Sequence, residues 1–129
     1  MNKILVEVSV GELFDKISIL EIKQEKIKDP AKLKFINEEH SILKNQLNSN
    51  VKSDQKLSEL FESLKQINAK LWVIEDEKRK CEKEKDFTDS FIKLSRDVHF
   101  LNDDRAKIKL EINNHTGSKI KEIKEYTSY

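Results

Sequence analysis

Polar residues standing where apolar ones belong mark the candidate chemistry of this chain. Arg105 falls on a helical stripe whose neighbours, Leu101 and Ile108, are apolar, and Asn102 and Lys109 stand three and four residues away on the same face. A desolvated guanidinium needs a carboxylate partner. The helix facing Arg105 offers only Ile67 and Asn68 at that level, so the expected partner comes from the N-terminal part of the chain, with Glu12 and Asp15 best placed. Lys16 joins them, with Glu21 and Lys23 further along. A second cluster, Trp72, Glu75, Asp76 and Arg79, recurs at helical spacing, with Arg96 expected opposite Asp76. Such a set suits an anionic or hydroxylated ligand between helices. Arginine and lysine take the anion, carboxylates accept from hydroxyls, and the indole supplies a flat apolar face. The competing reading is a network of ion pairs that fixes how the helices dock. Arginine occurs only at positions 79, 96 and 105 in a chain rich in lysine, isoleucine and asparagine, which adds weight to each of the three.

Catalysis and metal binding find less support. No general base is identified, so no catalytic residue is predicted. A carboxylate-bridged di-iron bundle needs Glu-x-x-His pairs. Three residues before His40, His99 and His115 stand Asn37, Arg96 and Ile112 instead. No His-Glu-x-x-His occurs, and Gly11 and Gly117 cannot form a phosphate-cradling loop. Neither a metal nor a cofactor is expected. The single cysteine, Cys81, excludes an internal disulfide and lies on an apolar stripe, where it reads as a small core residue. His40 reads as a hydrogen-bonded core histidine opposite Leu20.

Helices must position these residues. Leu57, Leu60, Leu64, Ile67, Leu71, Ile74, Lys78 and Cys81 advance in steps of three and four, and so do Phe91, Leu94, Val98, Leu101, Arg105, Ile108, Ile112 and His115. Paired end to end, each facing pair has residue numbers adding to 172, the register of an antiparallel hairpin folded about Asp86. A shorter pair of stripes, Leu13, Ile17, Leu20, Gln24 and Ile27 against Leu33, Ile36, His40, Leu43 and Leu47, shares a sum of 60. Ser9, three residues before Glu12, predicts a capping box, and Asp29-Pro30 predicts a second helix start. Gly117 is a natural terminator of the last helix. The predicted helices run over about 10–28, 31–47, 54–85 and 89–115. Ile4 to Val8 predicts a brief strand or extended lead-in, and the tail from Ser118 either packs on the bundle through Ile120, Ile123 and Tyr126 or pairs with Ile4 to Val8. The predicted fold is all-α: one domain over 1–129, a four-helix bundle of two antiparallel hairpins with short extended ends. The second hairpin is longer by about ten residues per arm, so part of it projects. Its surplus apolar stripe predicts a homodimer.

Composition narrows the classes. Charged residues make up 38% of the chain and the net charge is +1, with both signs interspersed, so no basic face for nucleic acid or an anionic membrane is expected. No apolar run reaches membrane-spanning length, and the N-terminus lacks a signal-peptide pattern. A cytoplasmic protein is expected.

Three stretches carry a resemblance. Val8-Ser9-Val10-Gly11-Glu12-Leu13-Phe14-Asp15-Lys16-Ile17-Ser18-Ile19-Leu20-Glu21-Ile22-Lys23, Leu71-Trp72-Val73-Ile74-Glu75-Asp76, and Asn102-Asp103-Asp104-Arg105-Ala106-Lys107-Ile108-Lys109-Leu110-Glu111-Ile112-Asn113 resemble the motifs of a small, all-helical bacterial family without an assigned function. The resemblance covers nearly the whole chain, departing in the lysine-rich tail. Members standing alone or fused to glycosyltransferase-like and helical-repeat regions imply work near glycan or polysaccharide synthesis. Three functions are weighed against one another. The first is a non-catalytic binding or accessory module with a polar inter-helix site, taking a protein partner or an anionic, sugar-like small molecule. The second is a small enzyme acting on an anionic substrate between the helices. The third is a coiled-coil spacer. The first is the expectation carried forward.

Overall fold

The computed structural model describes residues 2–129. Four helices follow in order: α1 (Val10–Lys26), α2 (Pro30–Asn50), α3 (Gln55–Glu84) and α4 (Asp89–Thr116). Local chemistry sets their ends. The Ser9 hydroxyl accepts from the Glu12 N–H at 3.0 Å, and the Asp29 and Asp54 carboxylates accept from the N–H groups of Ala31 (3.0 Å) and Leu57 (2.8 Å). Only half of the predicted capping box forms, because the Glu12 carboxylate is drawn to Lys109 instead of the Ser9 N–H. α2 runs three residues past its predicted end, where the Asn50 amide donates to the Gln46 carbonyl (2.8 Å) and the Val51 N–H to that of Leu47 (2.9 Å). Lys85 enters the left-handed region at φ 55° and closes α3, with the Asp86 N–H donating to the Cys81 carbonyl at 2.8 Å. Gly117, at φ 67°, does the same for α4. No strand forms among the described residues. Ile4, Leu5 and Val6 are exposed and carry no regular secondary structure, because a lone strand has no ladder to join.

The helices form two antiparallel hairpins, α1–α2 and α3–α4, and pack as a helical bundle. In the first, Glu21 meets His40 at 3.1 Å and the Gln24 amide donates to Asn37 at 3.0 Å. These pairs sum to 61 rather than 60, so His40 faces Glu21 while Leu20 turns into the core. In the second, His115 meets Asp54 at 2.8 Å and the Lys78 ammonium lies 5.9 Å from the centre of the Phe91 ring. Both pairs meet through side chains that reach about a turn from the predicted facing positions, so the same stripes stay in contact.

α1 is the central element and packs against each of the other three helices. The backbone of α2 approaches α1 alone. α2 buries no residue completely, and its half-covered stripe is Leu33, Ile36, His40, Leu43 and Leu47, as predicted. The main buried cluster is Phe14, Leu57, Leu60, Leu64 and Ile112, flanked by Leu47, Val51 and Phe61, with the rings of Phe14 and Phe61 edge to face at 5.7 Å, and Ile17, Leu20, Ile22 and Leu71 are buried besides. Gly11 sets the spacing of α1 from α4. A Cβ there would stand 2.5 Å from the Lys109 carbonyl oxygen, and the Gly11 N–H donates to Asn113 at 2.7 Å. Beyond Leu71, no residue of α3 is fully buried, and none of α4 is before Lys109. That part of the long hairpin projects as an arm.

Candidate functional site

The capping of α1 at Ser9 aims Asp15 at the groove between α3 and α4. Its side chain is 3% exposed. Arg105 grips it with both ends of the guanidinium fork: Nε donates to Oδ1 at 2.9 Å and Nη2 to Oδ2. The Asn68 amide donates to Asp15 Oδ1 and to the Ser18 hydroxyl, each at 2.8 Å, and that hydroxyl donates to the Asp15 carbonyl at 2.8 Å. Lys109 lies one turn further along α4. Its ammonium is 3.8 Å from Asp15 Oδ2, and it donates to Glu12 at 2.8 Å and Glu122 at 3.0 Å. No buried side-chain polar atom among the described residues lacks a partner.

Opposing effects set the protonation of this cluster. Burial pushes the Asp15 carboxyl up, but the hydrogen bonds from Arg105 and Asn68, with the charges of Arg105 and Lys109, outweigh it, leaving the group below its ordinary value of 3.8. Asp15 is a fixed anion at neutral pH, not a proton shuttle. Arg105 is raised by its hydrogen bonds to Asp15, against desolvation. Lys109 is depressed by burial and raised by more through Glu12, Glu122 and Asp15. The Glu122 carboxyl is held down first by Lys109.

Two cavities flank the clasp, and Arg105 lines both. One, of about 210 Å³, is polar and bounded by Glu12, Asp15, Asn102, Arg105, Ala106, Lys109, Glu122 and Lys124. The other, of about 340 Å³, is bounded by Ile19, Asn68, Leu71, Trp72, Glu75, Asp76, Arg79 and Arg105. Arg105 has five N–H donors. Two hold Asp15 and one reaches Asn102 at 3.4 Å, so two remain uncommitted on a side chain that is 28% exposed.

Nine of the predicted residues therefore gather around these two cavities: Glu12, Asp15, Asn102, Arg105 and Lys109 at the first, Trp72, Glu75, Asp76 and Arg79 at the second. The carboxylate expected for Arg105 from the first hairpin is Asp15. Two predicted residues are not brought in. Arg96 is exposed and lies 5.8 Å over the Phe100 ring, while Asp76 pairs with Lys80 at 3.4 Å. α4 turns Arg96 towards its own next turn, where the aromatic face offers a contact that Asp76 does not. Lys16 is half exposed and only nears Glu12, at 3.9 Å, because it sits on the solvent side of α1. Sequence reasoning missed Ser18 and left Asn68 out of the site. Asn68 had a signal, standing four after Leu64 and three before Leu71, which turns it inward. Glu122 and Lys124 had none, since the tail follows no periodicity. Among the described residues no cluster of histidine, cysteine and carboxylates could hold a metal ion.

Fold and site together define an all-helical bundle closed around a buried carboxylate–guanidinium clasp. No helix among the described residues is long and apolar enough to cross a membrane. The chain belongs to DUF6165, a family of unknown function, whose match spans residues 4–129. No curated protein and no solved structure matches it.

Proposed function

We propose that this protein is a non-catalytic binding or accessory module that takes an anionic, hydroxylated small molecule of the sugar-phosphate or acidic-sugar kind in the groove between α1, α3 and α4. One observation carries the reading. Asp15 orients Arg105 by two hydrogen bonds and leaves two of its N–H groups uncommitted on the wall of both cavities. The inner half of the guanidinium thus serves the fold and the outer half is preorganised for a ligand. Arg79 adds a second cation, Glu75 and Asp76 accept from hydroxyls, and Trp72 offers a stacking face. A ligand of this kind suits a role in glycan or polysaccharide synthesis. The cytoplasm is the proposed setting, in keeping with a chain whose single cysteine is free.

A thermal-shift screen of the full chain against nucleotide sugars, sugar phosphates and dicarboxylates tests this. A binder at a hundred times its Kd adds about 2.7 kcal/mol of stability. Arg79→Ala and Trp72→Ala should abolish that shift and leave the unliganded melting temperature nearly unchanged. Silence across the screen sinks the reading, and turnover of any hit would move it to the enzyme alternative.

A second copy of the chain is the proposed protein partner. The projecting arm carries an apolar cavity of about 610 Å³ between α3 and α4, lined by Ala69, Val73, Ile74, Phe100 and Leu101 together with Lys70 and Asp97. Phe87 and Ile92 stand exposed nearer its tip. Paired arms would cover this surface, and the interspersed charges along them allow opposite signs to meet about a two-fold axis. Val73→Asp should convert a dimer to a monomer in light scattering. A wild-type monomer at high concentration would refute the pairing.

A further inference from the structure

After α4, Gly117 reverses the chain, and the last residues run back beside the helix. Glu122 meets Lys109, and Tyr129 meets Asp103 through its hydroxyl while its ring lies edge-on to those of His99 and Phe100, both at 5.4 Å. Rising residue numbers in the tail match falling numbers in α4, so the tail lies antiparallel to it. Apolar burial does not hold it there. Ile123 is 79% exposed, Tyr126 74% and Tyr129 79%. Beside the Tyr129 ring contacts, the attachments are polar: the Val10 N–H on the Ser118 hydroxyl at 3.3 Å, Glu122 on Lys109, and the Tyr129 hydroxyl on Asp103. Only the Tyr129 contact is fully exposed and the other two are part-buried, but so few attachments leave a segment without secondary structure free to open locally.

Glu122 occupies a particular place. It closes the mouth of the 210 Å³ cavity, beside Arg105, Lys109 and Lys124. Glu12 and Asp15, the other two carboxylates there, belong to α1 and are fixed by the fold. Glu122 alone comes from a segment without secondary structure, and its carboxylate takes a hydrogen bond from Lys109 that any other anion could take.

We propose that this cavity is an anion site for a carboxylate or phosphate group, and that residues 118–129 form a displaceable strap whose Glu122 fills the site until such a group arrives. This rests on the reading of Arg105 as a ligand-binding residue. An incoming anion takes over the Lys109 hydrogen bond and gains the uncommitted N–H groups of Arg105 on the same wall. Glu122 and Tyr129 then leave together, because the strap is held at few points. The strap makes the site selective, since a ligand must outcompete an internal carboxylate, and it couples occupancy to the ring contacts of Tyr129 with His99 and Phe100.

The experiment uses the full chain, inorganic phosphate as probe, and constant ionic strength. Tyr126→Phe leaves Tyr129 as the one tyrosine, so 3-fluorotyrosine gives a single fluorine signal that reports on the strap. The Nε signals of the three arginines, assigned through Arg79→Lys and Arg96→Lys, report on the site. Phosphate should shift the Arg105 signal and move the fluorine signal towards that of free tyrosine in parallel. Glu122→Gln, on an exposed side chain, should leave the fold intact, release the strap beforehand and tighten phosphate binding by roughly three- to tenfold, as removal of a competing closed state does. If phosphate shifts Arg105 while the fluorine signal stays still and Glu122→Gln binds no tighter, the strap is refuted and the anion site stands. If Arg105 responds in neither protein, the site falls as well.

Discussion

The two ends of the α3–α4 hairpin are built from the same residue types at the same spacing, yet only one of them forms a closed core. Where α1 lies across the hairpin, Leu57, Leu60, Leu64 and Ile112 are buried and every buried side-chain polar atom among the described residues has a partner. Past Leu71 the stripes of Ile74, Leu94, Val98 and Leu101 are only half-covered, and Val73, Ile92 and Phe100 face solvent. Two helices cover one stripe each and leave their flanks open. A third helix closes them. The docked end can hold a charge such as Asp15 out of water because both α3 and α4 supply its partners. The arm keeps its charges on the outside and leaves its apolar surface for another molecule.

Several changes would sharpen or break this contrast. The largest effect should come from Leu64→Ala, which empties a completely buried site and should cost about 3–4 kcal/mol in urea unfolding. Leu94→Ala in the arm should cost about 1 kcal/mol, because water can fill a half-open position. Equal losses would show that the arm is as closed as the core.

Arg105→Met comes next. It leaves Asp15 buried with only Asn68 and the more distant Lys109, and should cost about 2 kcal/mol, below the roughly 3–5 kcal/mol of a fully buried pair because the guanidinium is partly exposed. Adding Asp15→Leu should recover much of that loss, since apolar packing replaces both charges. If the double variant is no more stable than Arg105→Met, the cost lies elsewhere than in the stranded carboxylate.

Acid gives a smaller effect with a definite sign. The folded-state carboxyl of Asp15 lies below 3.8, so its stabilisation is complete above that pH and drains away as the pH falls through the lowered value. As the pH falls below 3.8 the wild type should lose more stability than Asp15→Asn, which has no proton to take up there. Parallel acid curves would mean that other carboxylates govern the transition. Least of all, Arg96→Ala should change stability by under about 0.5 kcal/mol and leave ligand binding untouched, as befits a side chain on the outside of the arm. A marked loss of binding would return Arg96 to the site.

Much of the fold could be read from residue order because helical periodicity is a local property. Steps of three and four placed all four helices, and Ser9, Asp29 and Gly117 placed their ends, since caps act within a few residues of the groups they satisfy. The hairpins were legible from stripes of matched length. The site was partly legible. A guanidinium on an apolar stripe demanded a carboxylate, and the lack of one on α3 pointed to α1. Arg96 misled because stripes fix facing positions only to within about a turn, which moves a point contact by about 5 Å.

By itself, then, the sequence determined the helices, their pairing into hairpins, the inward place of Arg105 and the need for an acidic partner. Tertiary structure alone decided that α1 is the centre, since Gly11 permits an approach to α4 that no periodicity encodes. It also decided that Asp15 rather than Glu12 holds Arg105, that Asn68 and Ser18 complete the clasp, and that Glu122 returns from the tail to Lys109. The physical reason is range. Periodicity and capping are written in neighbours, whereas a hydrogen bond between residues 90 apart depends on the angle at which whole helices cross.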